Sequence, residues 1–333
     1  MQKITPTIYD VASKAGVSIS TVSRVLNNPD KVTDETRLSV MEAIENLGFV
    51  PKAEARARAL KKFQRIGVLT PHFTAPSFVQ RLRGVATTLR KTNSELIIFS
   101  VESSSNFYSY LETIPINHNL DGLIILSLQF NNDYAKRLLA HGLQTVLVEY
   151  PHNILNSVEI DDINGGKMAA QYLIKKGHQI FGFVGDTVVP EFGIHPITMR
   201  LSGYRQGLAE HGLHLKDENI LITSYDMEST CQKAAQFLKK TKRPTAIFAA
   251  TDLQAVAILR AAREVGLRVP QDLAIIGFDN LDLAEYVGLT TISQHLDESG
   301  QVAVELLLSR ISDPKRPVQH IQLPLTIVER ETA

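Results

Sequence analysis

The sequence predicts a small all-α domain followed by a larger α/β domain whose parallel sheets form two lobes. Apolar residues recur at helical spacing between positions 7 and 48, and after residue 65 short β-rich segments alternate with helical ones. At 333 residues the chain also exceeds what one hydrophobic core usually organises. With 44% hydrophobic and 21% charged residues, it has the composition of a folded globular protein.

The first domain, residues 1–50, is predicted to contain three short helices separated by turn signals. Thr7 caps the first helix and Gly16 ends it. Ser18 caps the second helix, and the third begins at Thr33 and ends at Gly48.

The second helix, over residues 19–27, has two distinct faces. A rotation of about 100° per residue separates an apolar arc from a polar arc, formed respectively by Val22, Val25 and Leu26 and by Ser20, Arg24 and Asn27. A short helix of this kind after a tight turn is suited to entering the major groove of DNA, where Arg24 could pair with guanine. A solvated amphipathic helix in any small bundle is the alternative interpretation.

The charge distribution places a polyanion partner at the N-terminus. The chain has 35 Lys and Arg residues against 35 Asp and Glu residues, so its formal net charge is zero. Residues 1–65 hold eleven of the basic residues but only seven of the acidic ones, which gives this part a charge of +4 and leaves −4 on the remainder.

The second domain begins after a basic, alanine-rich stretch, residues 51–65, which is predicted to be a hinge or linker helix. The strands expected in the domain 66–333 cover residues 66–70, 96–101, 122–128, 145–150, 180–185, 246–250 and 273–278. The βαβ pattern occurs twice, and we expect lobes of approximately 66–160 with 291–317 and 161–290 with 318–333. Ligands of open sheets bind beyond the carboxyl ends of the strands.

Motifs in both domains resemble those of the lactose-repressor (LacI/GalR) family, in order and over nearly the whole chain. The matching segments are Thr7–Ala12, Ala15–Ser18, Thr21–Asn27, Thr33–Arg37, Gly48-Phe49-x-Pro51, Gly165-Gly166, Gly177-His178, Arg200-x-x-Gly203-Tyr204, Arg268-Val269-Pro270-x-Asp272 and Ile276–Asn280. The resemblance implies a helix-turn-helix head and an α/β periplasmic-binding-protein-like (type I) bilobed sensor domain with parallel sheets. It also implies a sequence-specific DNA-binding regulator, expected to be a repressor.

By this resemblance, Ile19, Ser20 and Arg24 read base edges, while Thr21, Ser23 and nearby amides hold phosphates. The full set of expected DNA contacts in the head is Thr7, Tyr9, Ser18, Ile19, Ser20, Thr21, Ser23, Arg24 and Asn27. Ile19 lies near the apolar arc, so it either contacts a thymine methyl group or packs in the core.

The hinge departs from the family pattern. Relatives place a leucine where this chain has Arg58, although Ala55 and Arg56 match, and Leu60 comes two residues later. Two residues turn a helix by about 200°, so Leu60 cannot replace the usual minor-groove wedge without a shift in register. We expect Ala55, Arg56 and Arg58 to contact DNA; a solvated basic linker is the alternative.

Effector-binding residues are expected at the strand ends of the second domain. Asp279 can accept two hydrogen bonds from neighbouring hydroxyls and Arg200 can donate two, a pairing that suits sugars. The resemblance adds Asp161, Thr251, Asp252 and Gln294, with Phe78, Tyr150 and Phe192 as possible walls. The alternatives are a turn cap for Asp279, a surface ion pair for Arg200 and core packing for the aromatic residues.

Several classes of protein lack support in the sequence. It has no Walker or GxGxxG phosphate loop, no GxSxG elbow and no HExxH motif, so neither catalytic residues, nor a metal site, nor a cofactor is expected. The single cysteine, Cys231, suits a reducing compartment. The absence of a signal peptide and of a long apolar stretch predicts a cytoplasmic protein with no membrane partner.

The sequence therefore predicts a homodimeric regulator that binds double-stranded operator DNA under the control of a small-molecule effector, expected to be a carbohydrate. A global catabolite regulator controlled by a phosphocarrier protein is one alternative. A solute-binding protein or enzyme without a DNA function is the other.

Overall fold

The computed structural model describes residues 6–27, 32–47, 49, 64–117, 119–186, 192–223 and 226–333. The chain forms two compact units, Met1–Phe63 and Gln64–Ala333. Gly48, predicted to end the third helix, and linker residues 51–63 lie outside the described residues.

The first unit contains the three predicted helices, α1 (Ile8–Ala15), α2 (Ile19–Asn27) and α3 (Asp34–Leu47). The backbone amide and the hydroxyl of Thr7 both donate to the carboxylate of Asp10, each at 2.7 Å, and fix the start of α1. Gly16 ends that helix at φ 65°, a left-handed conformation that glycine adopts without strain. The core of this unit consists of Val11, Ala12, Val22, Val25, Val40 and Ala43.

The second unit alternates strands with helices, as the sequence predicts. Its helices are α4 (Pro76–Leu89), α5 (Ser104–Asn117), α6 (Asn132–Ala140), α7 (Asp162–Lys175), α8 (Pro196–Ala209), α9 (Met227–Leu238), α10 (Asp252–Glu264), α11 (Asp282–Tyr286) and α12 (Leu296–Ser312). Its strands are β1 (Arg65–Pro71), β2 (Glu95–Val101), β3 (Gly122–Leu126), β4 (Gln144–Val148), β5 (Asn156–Glu159), β6 (Phe181–Gly185), β7 (Ile220–Ile222), β8 (Ala246–Ala249), β9 (Ala274–Asp279), β10 (Thr291–Ser293), β11 (His320–Gln322) and β12 (Thr326–Val328).

The strands form two six-stranded sheets, one in each lobe. Their orders are β11-β5-β4-β3-β1-β2 and β12-β10-β9-β8-β6-β7. The pairings are parallel except for β10 with β12, which is antiparallel. The predicted fold class, a helical N-terminal domain followed in the sequence by two lobes built on parallel sheets, is confirmed.

The lobes exchange chain slightly later than the sequence-based division placed them. β10 lies in the second sheet and β11 in the first, so 291–293 and 320–322 belong to the opposite lobes from those expected. The chain therefore crosses between the lobes at 159–162, 293–296 and 322–326. Strands of three residues carry too little periodicity to mark such exchanges in a sequence.

One close helix pair covers each lobe, and glycines permit the approach. In the first lobe, a Cβ on Gly84 of α4 would lie 2.0 Å from the carbonyl oxygen of Asp297 in α12. In the second lobe, a Cβ on Gly203 of α8 would lie 1.9 Å from the carbonyl oxygen of Ile163 in α7. Real Cβ atoms cannot come so close to backbone, so both pairs require glycine at the contact.

Replacing Gly203 with alanine should therefore force α7 and α8 apart. We expect Gly203→Ala to lower the free energy of unfolding by about 2 to 3 kcal/mol. Ser202→Ala, at an exposed position of the same helix, should change it by less than about 0.5 kcal/mol. Chemical denaturation followed by circular dichroism measures both, and equal effects would refute the close-contact explanation.

Candidate effector cavity and DNA-reading helix

Helix α2 presents the two faces that its sequence predicts. Val22 is fully buried and Val25 is 4% exposed, whereas Ser20 and Arg24 are exposed. Thr21 and Ser23 are half-buried at the flanks of the helix, and the side chain of Asn27 lies outside the described part of the chain. The helix therefore packs through its apolar arc and offers hydrogen-bonding groups from the other.

Ser18 organises the start of α2. Its hydroxyl accepts a hydrogen bond from the backbone amide of Thr21 at 3.2 Å and lies 2.7 Å from the Ser20 hydroxyl and 2.9 Å from the Thr21 hydroxyl. A capped helix start with clustered hydroxyls is suited to phosphate oxygens, because both backbone amides and hydroxyls can donate there.

Among the other predicted DNA contacts of the head, Tyr9 is 68% exposed and Ile19 is 41% exposed. Ile19 is thus only partly withdrawn from solvent. Thr7 is exposed, although its hydroxyl is engaged with Asp10. The hinge residues Ala55, Arg56 and Arg58 lie outside the described residues.

The second unit encloses a cavity of about 810 Å³ between its two lobes. Residues at the carboxyl ends of strands from both sheets line it, where open parallel sheets generally bind ligands. The polar lining includes His72, Arg81, Ser127, Glu149, Asp186, Arg200, Thr251, Asp279 and Gln294, and the apolar lining includes Pro71, Phe78, Ile194, Pro196 and Ile197. An apolar wall with a few convergent polar groups is typical of a small-molecule site.

Arg200 is the central cation of the second lobe. Its Nε donates to Asp162 at 2.8 Å, its Nη1 donates to the carbonyl of Ala250 at 2.8 Å, and Nη1 lies 3.9 Å from the carboxylate of Asp279. The guanidinium also stacks on Phe278, 3.7 Å from the ring centroid. Burial lowers the pKa of Arg200, but Asp162 and then Asp279 more than offset it and hold the pKa above its usual value.

A second buried cation, Arg81, extends the network from the first lobe. It donates to Glu149, to Gln294 at 2.8 Å and to Ser299 at 3.3 Å. Gln294 in turn donates to Asp279 at 2.5 Å, so hydrogen bonds join the charged groups of the two lobes across the cavity floor. Ser127 donates to the other oxygen of Glu149.

Asp279 combines burial with a strained backbone. Its φ is 128°, and His72, Ser127 and Glu149, which also line the cavity, have φ of 46°, 53° and 70°. Non-glycine residues adopt such angles only where their surroundings enforce them, and they often occur at binding sites. Burial raises the pKa of Asp279 to about 6, although Arg200 opposes the shift.

Five of the nine predicted effector contacts line the cavity: Phe78, Arg200, Thr251, Asp279 and Gln294. Asp252 is fully buried beneath it, accepting from Thr291 at 2.5 Å and from the Leu281 amide at 2.7 Å. Asp161 is exposed and caps α7 through the amide of Asn164. Neither carboxylate lines the cavity and each holds neighbouring elements in place, so their contact with an effector stays a prediction.

The two other aromatic residues expected as walls also lie elsewhere. Tyr150 lines a separate open groove of about 300 Å³, together with Phe130 and His152. Phe192 is 5% exposed and packs in the hydrophobic core of the first lobe. Its neighbours along the chain, Gly193 and Ile194, contribute the wall instead.

Four residues that line the cavity were not predicted from the sequence: Arg81, Ser127, Glu149 and Asp186. Asp162, which accepts a hydrogen bond from Arg200, was not predicted either. Ser127 and Glu149 fall at the carboxyl ends of predicted strands, so the strand-end rule could have found them. Asp162 follows the predicted Asp161 directly, and only the rotation of α7 tells which carboxylate points inward. Arg81 had no comparable signal.

The described part of the chain was also searched for metal sites and for membrane-spanning helices. No three His, Cys, Asp or Glu side chains there are grouped so that they could hold a metal ion. None of its helices is both long and apolar enough to span a membrane.

Known proteins resemble both units. Residues 7–52 match the bacterial regulatory proteins of the lacI family, and residues 170–333 match the periplasmic binding protein-like domain. The ribose operon repressor of Escherichia coli K12 is 32% identical over 98% of this chain and 99% of its own length. Catabolite control protein A of Priestia megaterium is 32% identical over 98% of both chains. The lac repressor dimer bound to operator and the anti-inducer ONPF is 26% identical, with a TM-score of 0.82 over 99% of both chains.

A helix-turn-helix head in one chain with a two-lobed domain around a polar cavity defines a DNA-binding transcription regulator controlled by a small molecule. This chain belongs to the lacI family of bacterial regulatory proteins. The family, the DNA-binding function and the effector-controlled class predicted from the sequence are thereby confirmed.

The raised pKa of Asp279 predicts a pH effect on stability. The folded state binds this proton more tightly than the unfolded state does, because the pKa rises from 3.8 to about 6. The resulting stabilisation is present below about pH 4 and is lost as the pH rises through 6. Asp279→Asn removes the titrating group. We therefore compare the free energy of unfolding of the unsubstituted protein with that of the variant, and we expect the difference (unsubstituted minus variant) to decrease as the pH rises from about 4 to 6.

Asp282 supplies a control of opposite sign, because its hydrogen bonds to Arg83 lower its pKa. The same difference for Asp282→Asn should fall as the pH is lowered instead. Denaturation midpoints measured from pH 4 to pH 7 test the Asp279 effect, and midpoints measured below pH 4 test the Asp282 effect. Parallel profiles for Asp279→Asn and the unsubstituted protein would refute burial of a titrating carboxylate.

Proposed function

We propose that this chain is a cytoplasmic, dimeric repressor whose α2 helices read an operator and whose affinity for it is set by a small polyhydroxylated metabolite in the cavity. The observation that carries the proposal is the buried pair of Arg200, on α8, and Asp279, at the end of β9, which lie 3.9 Å apart and line the cavity. The names of two relatives, the ribose operon repressor and the lac repressor dimer bound to operator, support it.

The DNA-reading part rests on the exposed arc of α2. Arg24 can form two hydrogen bonds with guanine, and Ser20 can donate to or accept from a base edge. Thr21, Ser23, Ser18 and the first amides of the helix are proposed phosphate contacts. The further proposed contacts are Thr7, Tyr9, Ile19, Asn27, Ala55, Arg56 and Arg58.

The effector part rests on the mixture of groups in the cavity. Paired carboxylate and guanidinium groups hold vicinal hydroxyls, while Phe78 offers an apolar face to a sugar ring. Thr251 and Gln294 add neutral hydrogen-bonding groups. The cavity volume of about 810 Å³ is larger than a monosaccharide needs. It can therefore hold bridging waters or a second sugar unit beside the first.

A catabolite regulator controlled by a phosphocarrier protein is the second candidate. The identity of 32% with catabolite control protein A favours it as much as the equal identity favours the ribose operon repressor. Co-purification with the phosphocarrier protein would distinguish this function. Under our preferred function the phosphocarrier protein is not retained.

The base-reading proposal predicts the effect of Arg24→Ala. An operator is first obtained by selection from random duplexes. The variant should lose about 1 to 3 kcal/mol of binding to it and discriminate less at one base pair, because a bidentate contact is removed. Thr21→Ala should weaken binding to all sequences alike. Equal loss from Arg24→Ala on operator and random DNA would contradict base reading.

The effector proposal predicts binding in the cavity of D-ribose, the sugar named for the ribose operon repressor, or of cellobiose, with which a regulator 27% identical to this chain forms a complex. Titration calorimetry should detect one of the two sugars, and that sugar should change operator affinity. Phe78→Ala should weaken its binding on the order of tenfold, because an apolar wall is lost. Val79→Ala, 48% exposed on the same helix, is the matched control and should leave sugar binding unchanged. Operator binding that responds to neither sugar would contradict the assignment of ribose or cellobiose as the effector.

A further inference from the structure

Residues 192 and 193, which precede α8 of the second lobe, bond to the first lobe. Gly193 forms an antiparallel bridge with Leu128, which follows β3 of the first lobe. Next to it, the backbone amide of Gln129 donates to the carbonyl oxygen of Phe192 at 2.9 Å. Residues 192–193 thus attach as a short added strand to the opposite lobe.

The side chain of Phe192 makes this attachment apolar as well. It is 5% exposed, and its ring centroid lies 6.0 Å from that of Phe107. All other buried members of this cluster lie between Leu69 and Leu155, within the first lobe. Burial of an aromatic ring strongly favours the docked arrangement, so the contact is a substantial link between the lobes.

The residues that follow Phe192 form part of the cavity wall. Gly193, Ile194, Pro196 and Ile197 all line it, and α8 then carries Arg200 into it. The three covalent crossings between lobes lie at 159–162, 293–296 and 322–326. Phe192 adds a non-covalent connection to those that Arg83 and Gln80 make with Asp282, and the residues that follow it border the cavity.

We infer that Phe192 is a positioning residue that latches the second lobe onto the first, and that its side chain must leave the first lobe's core before the cavity opens for ligand exchange. The inference rests on the proposed function in that the cavity is the effector site. While Phe192 is docked, Ile194 and Pro196 are held as a wall. When it is released, the wall moves away with the second lobe.

Thiol labelling measures the opening without any effector or operator. Thr251 lines the cavity and is 8% exposed, so Thr251→Cys places a thiol behind the wall. The rate of its reaction with DTNB follows the population of open cavity. The blank is the chain without this substitution, whose single cysteine, Cys231, is 2% exposed.

Phe192→Ala should raise the labelling rate of the Thr251→Cys protein on the order of tenfold or more. Phe130→Ala is the matched control, because Phe130 is 6% exposed in the same cluster but belongs to the first lobe's own chain. It should lower stability with little change in labelling, and Phe192→Leu should restore slow labelling. An unchanged rate in Phe192→Ala, or equal increases in both alanine variants, would overturn the latch.

Amide hydrogen exchange supplies an independent measurement on the full chain. The Gln129 amide should be protected in the unsubstituted protein, lose protection in Phe192→Ala and keep it in Phe130→Ala. Rapid exchange of this amide in the unsubstituted protein would show that the segment is undocked and would overturn the inference. Neither measurement needs sugar or DNA, so its outcome is separate from that of the effector proposal.

Discussion

The cavity depends on the burial of one cation, the guanidinium of Arg200. An unpaired charge in a protein interior costs several kcal/mol, so this side chain is tolerable only because its surroundings compensate it. Asp162 and the carbonyl of Ala250 accept its hydrogen bonds, and the ring of Phe278 covers its face. The guanidinium is thereby fixed before any ligand arrives, and Asp279 lies beside it. A preorganised pair of this kind binds hydroxyl groups with little loss of side-chain entropy.

The same network makes the arrangement of the lobes sensitive to what occupies the cavity. Asp279 belongs to the second lobe and Arg81 to the first, and Gln294, at a crossing between lobes, bonds to both. A ligand that competes for Asp279 or Arg81 changes the bonds available to Gln294. Such a ligand has different affinities for different lobe arrangements, and only such a difference can shift the equilibrium between them. A ligand can therefore change the arrangement of the two lobes without any movement within a single lobe.

How far the sequence predicts this structure depends on the length and burial of each element. The seven predicted strands are all present. Six of them lie inside a sheet, where parallel strands form continuous apolar runs, and the seventh, β2, is an edge strand. The strands β5, β7, β10, β11 and β12, of three or four residues, were missed, and with them the positions at which the lobes exchange chain. In the cavity, Arg200 and Asp279 were found from their chemistry and the motifs around them. Asp162 was missed in favour of its neighbour, a difference of one residue that a helix converts into a rotation of about 100°.

Phe192 shows why a residue type alone does not reveal its role. An aromatic residue in a loop near a predicted site suits a ligand wall and a core equally well, and the choice depends on which lobe the loop touches. Here the loop bonds to the opposite lobe, so the aromatic ring fills a core and the smaller residues after it face the cavity. The strained backbones of Ser127, Glu149 and Asp279 border the same space. Strained backbones and buried charges thus border the cavity, whereas the close helix pairs that stabilise each lobe meet at Gly84 and Gly203.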